Sequence, residues 1–376
     1  MSIQYNKIQV QVSLENLRHN YRVFRSTCDN VIPVIKSDAY GHGLIEVGRA
    51  MEQEGVETLA VGFVNEAVLL RESGCDKRIF ALLGPVDDAD FAALWDHDIL
   101  AAMGRFDQLE RVAQMAEDRG EIRVGLKFDT GMRRLGFRPE DVPGVIEFFR
   151  SNPKVVPVMA TSHLALADEP ENVAAVNGQA EKFQTAVDAL RGAGFDIEAN
   201  LSNSAGSIAH ERCHYDSLRL GISLYGCNPL HGTEWADRCG ELRPAMEVSA
   251  PVMHVHCLKK GESVSYGWTY TADRDLTVAV VGVGYADNYS RSLSNTGYMN
   301  IKGHRAPILG RICMQMTMVD VTGIMGEGLD VRPGDRAWLL GGPGPGTITP
   351  EDLAGWWKTI TYEVFCLLGM NRREYK

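Results

Sequence analysis

The sequence has no run of about 18 apolar residues, which argues against a membrane-spanning helix. It also has no block rich in lysine or arginine, and its formal net charge is −11. Binding to nucleic acid or to an anionic membrane surface therefore has no electrostatic support. The first residues lack a charged stretch followed by an apolar run, so no signal peptide is predicted and we expect a cytoplasmic protein.

Closely spaced metal or redox motifs are also missing. The eight cysteines include no Cys-x-x-Cys pair, which in a chain of 376 residues without secretory features predicts reduced thiols. His254 and His256 would share one face of a strand, but no third ligand follows nearby, so no metal is predicted. The segment Gly282–Gly284 lacks the third glycine of a dinucleotide-binding motif, so that function is not predicted either.

Apolar residues make up 45% of the chain, and over the first two thirds they form short runs that alternate with amphipathic segments. Helical spacing falls between most of these runs, for example at Asp87–Trp95 and Ala174–Arg191. Eight such strands over about 200 residues favour a closed (β/α)8 TIM-like barrel over an open doubly wound sheet. The eight runs are Val31–Ile35, Leu59–Phe63, Ile79–Leu83, Ile99–Met103, Ile122–Phe128, Val155–Ser162, Ile197–Leu201 and Leu218–Leu224.

The last third of the chain has a different pattern. Apolar residues often alternate in Glu247–Leu258, and glycine and proline separate further strand-like runs, which predicts a mainly antiparallel β domain. Helical spacing returns over Glu351–Met370. We therefore predict a barrel domain over residues 10–234 and a C-terminal β domain over residues 235–376 together with 1–9. The further runs are Thr277–Tyr285, Met299–Ile301, Arg305–Leu309 and Met318–Val321.

Two polar residues stand at the ends of predicted barrel strands, where the active site of such a fold lies, and a third lies within a strand. Lys36 ends the first strand; a buried lysine loses its proton readily, and its neutral amine can form a Schiff base with a carbonyl. A solvated surface lysine is the alternative. His163 follows the sixth strand, where a satisfied core histidine is the alternative. Arg219 lies inside the apolar eighth strand and needs buried partners, because it cannot lose its charge.

A phosphate-binding site is indicated near Ser204. This serine is predicted as the N-cap of a short helix, and the start of that helix is also suited to a phosphate. Gly221 would allow a backbone amide to approach the same phosphate. A Schiff-base lysine, a phosphate site and a buried arginine are together what pyridoxal 5′-phosphate (PLP) requires.

Seven segments, in order along the chain, resemble sequence blocks of the alanine racemase family. They span residues 36 to 364, so the resemblance covers both predicted domains. It implies a PLP-binding (β/α)8 barrel followed by a β domain, a homodimer, and interconversion of L- and D-alanine, with D-alanine serving bacterial cell-wall synthesis. The segments are Lys36–Gly43, Lys127–Gly136, Leu218–Gly226, Val264–Gly267, Val283–Asp287, Gly310–Met314 and Thr361–Val364.

The resemblance also implies residue roles. Lys36, joined to PLP, and Tyr266 from the second subunit would act as bases on opposite faces of the substrate. Arg219 would bind the pyridine nitrogen, and His163 would connect Arg219 to the tyrosine side. The other implied roles are phosphate contacts (Tyr40, Ser204, Gly221, Ile222, Tyr362), substrate-carboxylate contacts (Arg134, Met314), the substrate-access corridor (Tyr285, Arg291, Arg311, Ile360), and the carbamylation known in some relatives (Lys127).

Two positions depart from the family pattern. Gln315 stands where the family usually has aspartate, and Arg133 stands where it usually has glycine. Serine, or a broader set of amino acids, is therefore an alternative substrate. A non-catalytic PLP-binding protein is a further alternative, but such proteins resemble the barrel alone, so Tyr266 and the second domain favour catalysis. A decarboxylase with a related barrel is a third alternative, but its motifs differ from the seven segments given above, so they do not favour it.

Overall fold

A computed structural model describes residues 6–376, which form two compact units. The barrel unit contains Asn16–Ala39 and Leu44–Arg243. The C-terminal unit contains Tyr40–Gly43, Pro244–Lys376 and the described residues up to Glu15. The sequence places the boundary after residue 234 and assigns residues 1–9 to the C-terminal domain. Residues 1–5 of that stretch lie outside the described residues.

Eight parallel strands form the barrel, as the alternating pattern predicts. Strands 2 to 7 pair in sequence order, and strand 1 pairs with strand 8. Single parallel bridges, Val34 to Ala60 and Asn200 to Ser217, join the two groups and close the ring. Numbered along the chain, the barrel strands are Val31–Pro33, Thr58–Val61, Arg78–Ala81, Ile99–Met103, Ile122–Lys127, Val155–Thr161, Glu198–Asn200 and Leu218–Leu220.

One helix precedes the first barrel strand, and seven others follow strands 1 to 7 and cover the barrel. In Phe106–Arg119, for example, the buried residues Leu109, Val112 and Ala116 recur at intervals of three and four and form one apolar face. Strands 2 and 4 are buried at every position, as expected for strands covered on both faces. The helices are Leu14–Arg25, Leu44–Gln53, Val64–Glu72, Asp88–Asp96, Phe106–Arg119, Val142–Ser151, Val173–Gly192 and Ser204–Ala209.

The C-terminal unit is built around the long strand Met246–Leu258. This strand pairs antiparallel with Gln9–Val12, Leu276–Val281 and Arg336–Leu340. Most pairs are antiparallel, as predicted, but Gln9–Val12 also pairs with Arg373–Tyr375 in parallel. The other strands of the unit are Ser263–Val264, Tyr270–Thr271, Tyr298–Ile301, His304–Pro307 and Thr317–Asp320, and it also has a short helix, Thr322–Gly326.

The helical spacing over Glu351–Met370 corresponds to two helices, Pro350–Trp357 and Thr361–Leu368. The first helix ends at Lys358, which has a left-handed backbone with φ of +63°. Ile360 is extended and starts the second helix. The break places Tyr362 in the first turn of that second helix.

Candidate active site

The barrel unit holds several of the predicted cofactor residues at the carboxyl ends of its strands, the end at which active sites form in this fold. Lys127 is the last residue of strand 5, and His163 lies two residues beyond strand 6. Ser204 begins the helix after strand 7, and Gly221 directly follows strand 8. The strand order therefore brings residues that are far apart in sequence to one end of the barrel.

Lys36 opens a left-handed turn rather than an ordinary loop. Residues 37–39 all have φ between +53° and +55°, although none is glycine. Each such residue costs about 1–2 kcal/mol relative to right-handed backbone. The Asp38 carboxylate supports the turn by accepting the N–H of Leu44 at 2.8 Å. The backbone that carries the Lys36 amine is thus held in a conformation that the chain would not adopt unsupported.

Arg219 is only 3% exposed, and its guanidinium is fixed by neutral oxygen atoms. It donates to Thr161 Oγ1 and to the Ser162 carbonyl, both at 2.8 Å, and to Asn200 Oδ1. Thr161 and Asn200 are the last residues of strands 6 and 7, and the sequence reading missed both. Polar residues at the ends of apolar strands were the signal that could have identified them.

His163 contacts the same guanidinium. Its Nδ1 lies 3.1 Å from an Arg219 nitrogen, which can only donate, so Nδ1 accepts and the ring proton sits on Nε2. Burial holds the pKa of His163 well below its usual value, and the charges of Arg219 and Lys127 lower it further. His163 is therefore a neutral imidazole of defined tautomer at neutral pH.

Lys127 lies among positive charges. Burial holds its pKa well below the usual value for lysine, and Arg219, Arg134 and Lys36 lower it further, while Asp129 acts in the opposite direction. The Lys127 amine is thus biased toward its neutral, nucleophilic form. The same cluster of cations offers a favourable environment for an anionic ligand.

Ser204 binds the turn that follows strand 8. Its Oγ accepts the N–H of Gly221 at 2.9 Å and that of Ser223 at 3.3 Å. The predicted N-cap role of Ser204 is wrong, because Asn203 has the extended backbone of a cap and accepts the N–H of Gly206 at 2.9 Å. Ser204 is instead the first helical residue, and its hydroxyl brings it together with the Gly221–Ile222 segment.

Asp129 shapes the loop that carries Arg134. Its Oδ1 accepts the N–H of Gly131 at 2.9 Å and that of Arg133 at 3.0 Å. Arg133 occupies a left-handed position with φ of +57°, which explains why glycine suits this position. Its exposed guanidinium lies 4.0 Å from Asp129, a pair that contributes little stability.

We expect Arg133→Gly to raise the free energy of unfolding by about 1 kcal/mol, because glycine relieves the left-handed strain. Arg138→Gly is the matched control in the same loop: Arg138 has a φ of −77°, so glycine there should lower stability by about 0.5–1 kcal/mol. Urea denaturation of both variants at pH 7 measures the difference. A less stable Arg133→Gly would contradict the strain argument.

In the C-terminal unit, Tyr40 and Tyr362 lie together, with ring centroids 5.8 Å apart. The adjoining residues are also fixed within this unit. The Gly41 carbonyl accepts from the Arg373 guanidinium at 3.1 Å, and the His42 ring packs edge-on against Phe365 at 4.9 Å. The short segment after Lys36 therefore packs with the C-terminal helix and strand.

Tyr266 lies on a second strained turn of the C-terminal unit and is 69% exposed. Its neighbours Ser265 and Gly267 have φ of +64° and +71°. The Ser265 hydroxyl donates to the carbonyl of Arg311, which joins the Tyr266 turn to the segment containing Arg311 and Met314.

The predicted corridor residues adjoin this segment. The N–H of Tyr285 donates to the Cys313 carbonyl at 3.1 Å, and the next amide donates to the Met314 carbonyl at 3.0 Å. The turn at Arg291 is linked through Ser294, whose Oγ donates to the Arg291 carbonyl at 2.5 Å and accepts the N–H of residue 312 at 3.1 Å. Tyr266, Arg311, Met314, Tyr285 and Arg291 thus form one connected group, while Ile360 begins a separate helix.

The rings of His254 and His256 stack at 5.4 Å, and within residues 6–376 no group of three or more His, Cys, Asp and Glu side chains could hold a metal ion. None of the helices in the described part of the chain is both long and apolar enough to cross a membrane.

Comparison with known families gives matches over both units. The profile described as the alanine racemase N-terminal domain matches residues 12–229, and that of the alanine racemase C-terminal domain matches residues 245–375. An alanine racemase from Nitratidesulfovibrio vulgaris (strain DP4) is 49% identical over 375 residues, which cover 100% of this chain and 99% of the relative.

Solved structures show the same likeness. The alanine racemase of the D-cycloserine-producing Streptomyces lavendulae superposes with a TM-score of 0.90 at 29% identity, over 100% of this chain and 98% of its own. The alanine racemase of Bartonella henselae, solved with covalently bound pyridoxal phosphate, superposes with a TM-score of 0.87 at 25% identity, over 98% and 99% of the two chains.

Proposed function

The chain belongs to the alanine racemase family, and from this membership we infer that it interconverts L- and D-alanine. The observation that carries the proposal is the 49% identity to an alanine racemase over 375 residues, which cover 100% of this chain. Polarimetry of L-alanine with the purified protein and PLP should show decay to zero rotation. Unchanged rotation, or faster loss of rotation with L-serine, would contradict alanine as the substrate.

We propose PLP as the cofactor, because the family depends on it and a structural relative holds it covalently. The donor set of this chain fits that group: the guanidinium groups of Arg134 and Arg219 suit an anionic ligand, and Ser204, whose Oγ accepts the N–H of Gly221, offers its own hydroxyl proton to a phosphate beside Gly221. Ile222, Tyr40 and Tyr362 are the further phosphate contacts we propose. When bound, PLP acts as an electron sink that makes the substrate α-proton acidic.

Arg219 is proposed to hydrogen-bond the pyridine nitrogen. A guanidinium does not give up its proton in the physiological pH range, so it would donate a hydrogen bond without protonating the ring. Its neutral partners Thr161 and Asn200 leave its positive charge intact and fix its direction. Neutral His163 then accepts from the other side of the guanidinium without adding charge.

Lys36 and Tyr266 are the two bases we propose. Racemisation needs one group that removes the α-proton and another that returns a proton on the opposite face. The Lys36 amine and the Tyr266 hydroxyl are groups of suitable chemistry, and each residue adjoins left-handed backbone: Ser37 follows Lys36, and Ser265 and Gly267 flank Tyr266. Fixed positions favour such proton transfers, because orientation contributes directly to rate.

We propose a homodimer in which Tyr266 of the partner subunit completes each site. Tyr266 is exposed, and so are the neighbouring apolar side chains of Trp268, Met314 and Met316. Grouped exposed apolar residues are typical of surfaces that bind another protein. In the same arrangement, Met314 of the partner subunit would offer its backbone amide to the substrate carboxylate, opposite Arg134. Tyr285, Arg291, Arg311 and Ile360 are proposed to line the access corridor.

We propose that Lys127 is carbamylated. Its neutral amine nitrogen would attack the carbon of CO2 and release one proton, giving a carbamate anion that offsets the positive charges of Arg134 and Arg219. Protein equilibrated with 13C-bicarbonate should show one protein-bound carbamate signal by 13C NMR. That signal should vanish in Lys127→Ala, and its persistence there would assign the modification to another amine.

The physiological role we propose is a supply of D-alanine for bacterial cell-wall synthesis, carried out in the cytoplasm. The proposal is supported by the bacterial origin of the relatives described above. Expression of the chain in a bacterium that requires added D-alanine should restore growth without it. Failure of an active enzyme to restore growth would contradict this role.

A further inference from the structure

We propose that Glu66 is a positioning residue for Lys36: it fastens the left-handed turn that starts directly after this lysine. The proposal rests on the inferred function of Lys36 as a base. Glu66 is the third residue of the helix Val64–Glu72, which follows barrel strand 2. Its carboxylate thus comes from the strand next to the one that leads to Lys36.

The Glu66 carboxylate accepts three backbone N–H groups. Oε1 accepts from Ser37 at 2.5 Å, and Oε2 accepts from Gly62 at 2.8 Å and from Phe63 at 3.1 Å. Hydrogen bonds to an ionised carboxylate are stronger than those between neutral groups. One side chain therefore joins the end of strand 2 to the first peptide after Lys36.

The hydrogen bond from Ser37 to Glu66 lies at the start of the left-handed turn. Ser37 is the first of the consecutive left-handed residues, and its N–H belongs to the peptide that joins it to Lys36. Holding this peptide restricts rotation about the Lys36 backbone and so the direction in which the side chain leaves it. Gly62 keeps the space open, since a Cβ there would lie 2.9 Å from Glu66 Oε2 and 3.4 Å from Lys36 Cβ.

A helix-capping role alone would not require the contact with Ser37. The helix after barrel strand 3, Asp88–Asp96, offers a comparison in which the carboxylate only caps its own helix. Asp90 is also the third residue of its helix, and its carboxylate accepts the N–H of Val86 at 2.9 Å. Asp90 thus binds its own loop, whereas Glu66 also reaches the turn of another strand. The pair Glu66→Gln and Asp90→Asn therefore separates positioning from capping.

The first measurement uses hydrogen–deuterium exchange of the protein without cofactor, followed in the peptide spanning residues 36–44. A glutamine amide has one acceptor oxygen, and in Glu66→Gln we expect this oxygen to stay with the two N–H groups of Gly62 and Phe63, so that the amide NH2 faces the single N–H of Ser37 and that bond is lost. Exchange in this peptide should become faster in Glu66→Gln and stay at the wild-type rate in Asp90→Asn. Wild-type exchange in Glu66→Gln would overturn the proposal.

The second measurement uses the PLP-loaded protein. We expect kcat of Glu66→Gln to fall about tenfold to a hundredfold with a smaller change in KM, because a misplaced base slows chemistry more than binding. The deuterium isotope effect with α-deuterated alanine should rise for one enantiomer only, since Lys36 serves one face. Glu66→Asp, which keeps the carboxylate, should recover part of the activity.

Three outcomes of this second measurement would also overturn the proposal. These are an isotope effect that rises equally for both enantiomers, an unchanged kcat, and an equal loss of kcat in Asp90→Asn. A wild-type protein that does not racemise alanine would overturn the proposed function together with this inference. If the wild type racemises alanine and Glu66→Gln has the same kcat, isotope effects and exchange rates as the wild type, this inference alone would be overturned.

Discussion

Lys36→Ala is expected to abolish racemisation and to remove the visible absorbance that PLP shows when bound to a lysine. The variant lacks the amine that we propose both to hold PLP covalently and to transfer the α-proton, so turnover should fall by about a thousandfold or more. Coupled assay of D-alanine formation and an absorbance scan near about 420 nm measure the two effects.

Lys154→Ala is the control for this result. Lys154 is exposed and paired with Glu117 at 2.8 Å, outside the candidate site, so its replacement should leave both the turnover and the absorbance at wild-type levels. Wild-type turnover in Lys36→Ala would refute its assignment as a base. Wild-type absorbance in Lys36→Ala would show that another amine holds the cofactor.

Tyr266→Phe is expected to lower turnover by a factor of about 10²–10⁴ and to leave PLP bound, because the ring keeps its shape and only the proton-transferring hydroxyl is lost. The assay compares initial rates in both directions at equal cofactor content. Tyr270→Phe is the matched control, since Tyr270 is partly buried against the core residues of the same unit and has no proposed role. Retained racemisation in Tyr266→Phe would contradict the two-base assignment.

Mixing the two inactive variants tests whether Tyr266 of the partner subunit completes the site. In a hybrid of Lys36→Ala and Tyr266→Phe subunits, one site would combine both intact bases and the other would have neither. Random exchange of subunits should restore about a quarter of the wild-type activity. If both bases came from one subunit, no mixture would recover activity.

The barrel could be predicted from the sequence because its signal is repeated eight times. Each apolar run is short, but the regular alternation with helical segments leaves few folds that fit it. The C-terminal unit was harder. The strand Gln9–Val12 has only four residues, and its partner Met246–Leu258 lies far along the chain. The break at Lys358 was not visible either, because a left-handed residue other than glycine leaves no compositional mark.

Some residues of the candidate site could likewise be predicted from the sequence, and others could not. The burial of Arg219 could be predicted because an arginine inside an apolar strand needs buried partners, whereas Lys36 was proposed mainly from its resemblance to a family segment. The sequence predicted Ser204 as the helix N-cap, but the cap is Asn203. The sequence alone does not show which of these two adjacent polar residues has the extended backbone of a cap. Glu66 was missed, because a glutamate at the third position of a helix is an ordinary capping residue, and only the neighbouring strand reveals its second contact.

The short segment Tyr40–Gly43 makes this chain difficult to divide into modules. It follows Lys36 directly, yet it packs with Phe365 and Arg373 near the opposite end of the sequence. A fragment that ended after the barrel would leave this segment without those partners, beside the strained turn that carries the amine. The barrel sequence alone is therefore a poor candidate for transplantation as a cofactor-binding cassette, because the segment that follows its key lysine in sequence is bound by a residue encoded more than 300 positions later.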